Sequence, residues 1–191
     1  MCRQDLNYGG VAVRRRMTFA AVAALFPIVL GLSVPPALGD SGAPAAPPPC
    51  ALTLSGTGQP VAFDQLRGQV LYVDFWASWC GPCLLSFPFM NEMQHTYGDK
   101  GLHVLAVNMN EKPADATRFL DQHKATFDVA NGPNGKCAKD FGVTTMPTSF
   151  LVDRGGMIRV VHKGFRPADA AELQAKLEEL IAEKATGPEG K

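Results

Sequence analysis

Residues 70–75, Val-Leu-Tyr-Val-Asp-Phe, form a nearly continuous apolar run of β-branched and aromatic side chains. A half-exposed strand alternates apolar with polar, so an unbroken run of this kind predicts a strand buried on both faces. It leads within five residues into Cys80-Gly81-Pro82-Cys83, after which Phe87, Met90, Met93 and Tyr97 recur at helical spacing until Gly98 stops the pattern. A second run, residues 103–108 (HVLAVN), repeats the strand signal. Two buried strands joined by a helix imply a parallel, right-handed crossover unit. Cys80 is then placed at the carboxyl end of a strand and the N-terminus of a helix, where open α/β sheets usually do their chemistry.

The remaining elements are read in the same way. Val61 to Phe63 is a short strand candidate, 114–123 a helix, 127–129 a short strand, and 137–141 a short helix after the glycine- and asparagine-rich loop 131–135. Thr148 to Val152, a turn at 153–156, and Met157 to His162 predict a β-hairpin, and Leu173, Leu177, Leu180 and Ile181 mark a closing helix after Pro167. The expected architecture is an α/β fold in three layers, with a central mixed β-sheet flanked by helices.

A chain of 191 residues, 46% of them hydrophobic, is long enough to bury one ordinary core. Its 18 basic and 18 acidic residues balance, and no cluster of lysine or arginine follows residue 40, which argues against a nucleic-acid partner. Residues 1–39 read as a targeting segment: Arg14, Arg15 and Arg16 precede an apolar stretch from Phe19 to Leu32, and Ala37-Leu38-Gly39 offers small residues for cleavage before Asp40. The uncharged stretch from Thr18 to Gly39 leaves retention as a membrane anchor as the alternative, weakened by Pro27, Pro35 and Pro36. Either way the domain is expected to be exported, to a periplasm or an equivalent compartment. Residues 40–49 are a proline- and alanine-rich spacer expected to be extended and unpacked, 50–184 the folded domain, and 185–191 a flexible tail.

Cys80 and Cys83 are too close in sequence to brace distant parts of a fold, so their spacing points to reversible redox chemistry. A thiolate, rather than a thiol, attacks a disulfide, and first-turn N–H groups with the helix dipole stabilise that thiolate by about 0.3 to 1 kcal/mol when exposed and up to ~2 kcal/mol when partly buried. Lowering a thiol pKa from about 8.5 to about 7 raises the thiolate fraction roughly sixteen-fold but cuts intrinsic nucleophilicity about five-fold, a net gain of only about three-fold. The larger benefit is Cys83, which can resolve a mixed disulfide intramolecularly. Gly81 is expected to permit a tight approach, and Pro82 suits a helix start because it has no N–H to leave unsatisfied. Resolution requires Cys83 to lose a proton. Asp74, the ionisable break in an otherwise apolar strand, is the first candidate acceptor, and Glu111, just beyond the second strand, is another.

Trp-Cys-Gly-Pro-Cys at 79–83 after VDFWAS, Pro88 five residues beyond Cys83, and Thr-Met-Pro-Thr before a strand-turn-strand resemble the thioredoxin superfamily. The LRGQVLYVDFW lead-in and the long segment between Asn108 and Pro147 are more similar to its exported TlpA/ResA-like branch. The resemblance covers about residues 51–183. It implies that Cys80 attacks, Cys83 resolves, and Pro147 is a cis proline beside them, with the Met146 peptide pairing with a substrate backbone and Trp79 and Pro82 lining the contact surface. It matches Asp74 to the buried acid of thioredoxin and Glu111 to an acid of the ResA-like proteins. It further implies client proteins with cysteines or disulfides, possible apocytochrome or metal-site clients in cytochrome c maturation, a membrane thiol reductase as electron donor, and no cofactor beyond the Cys80–Cys83 disulfide.

Of the other cysteines, Cys2 lies in the leader, and Cys50 lacks the leucine pattern of a lipid-attachment site. In an oxidising compartment Cys50 and Cys137 can form a structural disulfide, the competing reading being two partly buried free thiols. Three functions compete for the dithiol: a reductant of client disulfides, favoured by Gly81-Pro82 and Asp74; an oxidant or isomerase; and a copper-binding chaperone. The last is disfavoured because His95, His103, His123 and His162 show no spacing that converges with the cysteines, and no metal is expected.

Overall fold

The computed structural model describes residues 45–183. The leader expected over 1–39, the first part of the spacer and the 185–191 tail lie outside the described residues. Eleven regular elements follow in order: β1 (Leu52–Leu54), β2 (Pro60–Val61), β3 (Val70–Trp76), α1 (Gly81–Tyr97), β4 (Leu102–Asn108), α2 (Pro113–Gln122), β5 (Asp128–Asn131), α3 (Lys136–Asp140), β6 (Thr148–Val152), β7 (Ile158–Lys163) and α4 (Ala170–Ala182). The strands form one mixed sheet in the order β2-β1-β5-β4-β3-β6-β7. β3 runs parallel to β4 and antiparallel to β6, as the crossover and the hairpin require.

All seven residues of β3 are buried. Its period-2 alternation divides the core into two layers. Val70, Tyr72 and Trp76 pack with Cys83, Phe87 and Met90 of α1 and with Leu173 and Leu177 of α4. Leu71, Val73 and Phe75 face the opposite layer, with Leu105, Val107, Phe141 and Phe150. Asp74 occupies an even position and therefore shares the face of Tyr72 and Trp76, the face covered by α1. The helical spacing in α1 is fulfilled: Phe87, Met90, Met93 and Tyr97 are all buried. The N–H of Gly98 donates to Gln94 O, and the chain reverses through Gly101, whose φ of 93° is a left-handed conformation that favours glycine.

Two local expectations change, and one strand is added. The strand at 61–63 shortens to Pro60–Val61, because Phe63 turns inward to meet the Phe141 ring at 5.5 Å and opens a 3-10 turn. β1 has no periodic signal at three residues, yet it pairs with both β2 and β5. The spacer packs at its C-terminal end instead of standing free: the Ile158 N–H donates to Ala45 O at 2.8 Å, and Pro47, Pro48 and Pro49 line a cavity with Phe63, Leu71 and Val152. A disulfide between Cys50 and Cys137, with Cα atoms 5.2 Å apart, ties the start of β1 to α3. It closes a sequence separation of 87 residues. In the chain-entropy picture a loop of this length stabilises by about 4.6 kcal/mol through the unfolded state, near the top of the range such bridges deliver.

Candidate active site

The buried β3 ends at Trp76, and a turn carries the chain from there to the helix. The Cys80 N–H donates to Ala77 O at 3.1 Å, and the Cys83 N–H to Cys80 O at 3.1 Å. Cys80 is the N-cap of α1 in extended conformation, with Pro82 in the first turn. Cys80 and Cys83 are joined as a disulfide with Cα atoms 5.3 Å apart. Cys83 is fully buried, Cys80 is 6% exposed, and Trp79 beside it is 69% exposed. Solvent therefore meets the pair at Cys80, between its exposed neighbours Trp79, Gly81 and Pro82. Nothing lies within 4 Å of where a Gly81 Cβ would stand, and its φ is not left-handed. Within the chain the glycine therefore relieves no clash.

The peptide bond between Met146 and Pro147 is cis. Because Phe75 pairs with Thr148, residue 147 falls beside the end of β3, on the path to Cys80. Pro147 is buried, and its carbonyl accepts the Gly164 N–H at 2.7 Å. Met146 is half-buried against the same apolar layer as Cys80 and Cys83. Trp79, Pro82, Met146 and Pro147 are thus brought together with the dithiol by two strand ends and one helix start.

Asp74 has no solvent exposure. One of its carboxylate oxygens accepts the Ser149 hydroxyl at 2.6 Å, and Ser149 Oγ is also 3.2 Å from the Tyr72 hydroxyl. The other oxygen, Oδ2, has no partner among the described residues. Burial pushes the Asp74 carboxyl up to about 7, with the Ser149 hydrogen bond opposing. Burial, and then the Asp74 charge, push the Tyr72 hydroxyl up, so it stays neutral. Ser149 is not evident in the sequence, because it becomes Asp74's partner only through the β3–β6 register.

The raised pKa fixes a pH dependence of stability. The folded carboxyl titrates near 7 and the unfolded one near 4, so between these values the folded state holds the proton and the unfolded state has lost it. Asp74's contribution is fully present below about pH 4, declines from there to about pH 7 and is flat above. Asp74→Asn, which retains an acceptor for Ser149, is expected to match wild type at pH 4 and to exceed it at pH 8 by about 2 to 4 kcal/mol. Urea unfolding at the two pH values measures this; equal midpoints at pH 8 would show that the carboxylate carries no burial cost.

Glu111 is exposed in the loop between β4 and α2, and no side-chain hydrogen bond ties it to Asp74 or the dithiol among the described residues. The same strand ends carry polar contacts that asparagine's ordinary role as a turn residue conceals in sequence. Ser78 donates through both its N–H and its hydroxyl to Asn110 Oδ1, at 3.2 and 2.6 Å. Asn110 in turn donates through N and Nδ2 to Asn108 Oδ1, at 2.9 and 2.6 Å. Leu84 (40%) and Leu85 (51%), which follow Cys83 on α1, are exposed. Among the described residues no group of three His, Cys, Asp or Glu side chains converges as a metal site. His103 and His162 instead lie 3.3 Å from Asp128 and 3.5 Å from Asp169.

The Redoxin family model matches residues 39–178, a span that contains the dithiol, the buried acid and the cis proline together. The chain belongs to the Redoxin family. Among curated relatives of this redoxin, thiol-disulfide oxidoreductase ResA of Bacillus thuringiensis subsp. konkukian is 31% identical over 119 residues, 62% of this chain and 69% of the relative. Among solved structures, a putative thiol:disulfide interchange protein DsbE from Chlorobium tepidum is 45% identical, with a TM-score of 0.70 over 73% of this chain and 97% of that one. The pneumococcal exposed lipoprotein thioredoxin Etrx1 from Streptococcus pneumoniae is 29% identical, with a TM-score of 0.59 over 70% of this chain and all of that one. The TlpA/ResA-like resemblance and the thioredoxin-like α/β fold read in the sequence are both met. This redoxin is an enzyme, a thiol-disulfide oxidoreductase.

Proposed function

We propose that the protein works outside the cytoplasm as a reductant of client disulfides, with Cys80 as the attacking sulfur and Cys83 as the resolving one. The Cys80 thiolate attacks one sulfur of the client disulfide, forming a mixed disulfide and expelling the first client thiolate. Cys83 gives its proton to the Asp74 carboxylate and attacks Cys80, which closes the Cys80–Cys83 disulfide and expels the second client thiolate. Two electrons pass to the client, carried by the protein's own sulfurs with no other cofactor. A membrane thiol reductase then returns the pair to the dithiol. Trp79, Pro82 and Met146 form the surface on which an extended client segment lies, with Pro147 holding the Met146 peptide in place. Glu111, exposed just beyond β4, is the second candidate proton acceptor.

The observation that carries the direction is the electrostatic poverty of the attacking end. Strong oxidants of this chemistry are strong because their reduced form is stabilised. From Trp76 to Asn91 there is no charged residue, so within this segment the Cys80 thiolate draws support only from the helix N-terminus. The buried Asp74, when ionised, further disfavours negative charge nearby. Both effects favour release of electrons. Export is supported by the leader pattern of residues 1–39 and by the likeness to the pneumococcal exposed lipoprotein thioredoxin. The thiols of apocytochromes or of metal sites, as in cytochrome c maturation, are the client class this reading favours.

Equilibrating the protein with thiol redox buffers and quantifying the free thiols gives its potential. A value more reducing than about −200 mV is expected, whereas one near about −120 mV would reverse the assignment and make the protein an oxidant.

A further inference from the structure

The side-chain contacts at Ser78 belong to a longer chain that crosses the carboxyl ends of the parallel strands β3, β4 and β5 and reaches Ser55, just after the antiparallel β1. Beyond the Ser78–Asn110–Asn108 contacts, Asn108 Nδ2 donates to Asn131 Oδ1 at 2.8 Å, and Asn131 Nδ2 donates to Ser55 Oγ at 2.8 Å. The amides run head to tail, each carbonyl oxygen accepting from the residue on the Cys80 side or from its own neighbour's N–H, so the bonds polarise one another. Asn108 is only 6% exposed, which shields the central joint from competing water. Ser55 directly follows β1, and β1 is anchored by the Cys50–Cys137 bridge. The turn before the dithiol is thereby tied to a covalently clamped strand next to the sheet's edge.

We propose that Asn110 is a positioning residue for exchange with protein disulfides, holding through Ser78 the turn that presents Trp79 and Cys80. This rests on the reading of Cys80–Cys83 as the redox pair. Two donors of one residue converging on one oxygen restrict both the place and the rotation of Ser78. Two donors of Asn110 converging on Asn108 Oδ1 restrict Asn110 in the same way. A protein substrate must satisfy the Cys80 sulfur, the Trp79 surface and the Met146 backbone at once, so a misplaced turn is costly to it. A small aromatic disulfide needs only the sulfur.

The test compares kcat/KM for insulin and for a small aromatic disulfide in wild type, Asn110→Ala, Ser78→Ala and the double variant. Asn110→Ala is expected to lose about tenfold on insulin and less than about twofold on the small disulfide. Ser78→Ala, which removes one hydroxyl and keeps the test decisive should Asn110→Ala fail to fold, is expected to lose about threefold on insulin alone. The double variant is expected to be no worse than Asn110→Ala, because both changes remove the same contact. An unchanged insulin rate, an equal loss on both substrates, or additive losses overturns the positioning role. A Cys80→Ser arm separates the two readings: if that variant still consumes the small disulfide, the redox-pair assignment fails, whatever Asn110 does.

Discussion

Cys80→Ser is expected to abolish disulfide reduction, with a loss of at least about a thousandfold in kcat/KM for insulin, because the hydroxyl is neither ionised nor nucleophilic at neutral pH. The substitution replaces a side chain that is 6% exposed at the N-cap of α1, and serine is a favoured residue there. The fold is therefore expected to persist, and circular dichroism of the variant should overlay that of wild type. Residual activity within about tenfold of wild type would show that another sulfur, Cys83 or one of the Cys50–Cys137 pair, makes the attack. The same variant should form no covalent adduct with a client.

Cys83→Ser is expected to have the opposite covalent outcome. Attack by Cys80 proceeds, but the mixed disulfide has no internal thiol to displace it. Well-oriented intramolecular groups act at effective molarities of roughly 10⁵ M or more at the upper end, so millimolar external thiol is a poor substitute. The variant should show one rapid turnover and then stall, and intact-mass analysis should find the sum of protein and client masses, lost on adding reductant. Multiple turnovers at the wild-type rate would remove Cys83 from the resolving role. Because Cys83 is wholly buried against Trp76 and Phe87, the substitution also places a hydroxyl in an apolar layer. Yield and midpoint of unfolding should fall modestly, by about 1 to 3 kcal/mol, without affecting the adduct test.

The parts of the structure that are readable in the sequence are those whose signal is local. The run 70–75 announces β3 because burial on both faces leaves no polar alternation. Met90 and Met93 announce the inner face of α1 because helical spacing survives in a single segment. Asp74 stands out because a carboxyl inside such a strand is costly unless it does something. The rest needs the third dimension. Ser149 is an ordinary serine until the β3–β6 register sets it opposite Asp74. Asn108 and Asn110 look like turn formers, and their joint hold on Ser78 arises from strand ends brought together by parallel pairing. β1 is too short to carry a period, and its place depends on a covalent bridge and on β5. Pro47 to Pro49 read as a spacer because composition does not disclose the cavity they line.

The two tryptophans of the chain occupy opposite environments. Trp76 is wholly enclosed, its ring 4.9 Å from both Phe87 and Phe119, whereas Trp79 stands in solvent next to Cys80. Disulfides quench nearby indole emission, and Trp76 shares the buried layer of Cys80 and Cys83 while Trp79 adjoins Cys80 in the chain, so the emission of the pair rises when the bridge opens. The molecule carries a built-in optical gauge of its own oxidation state, readable without any label.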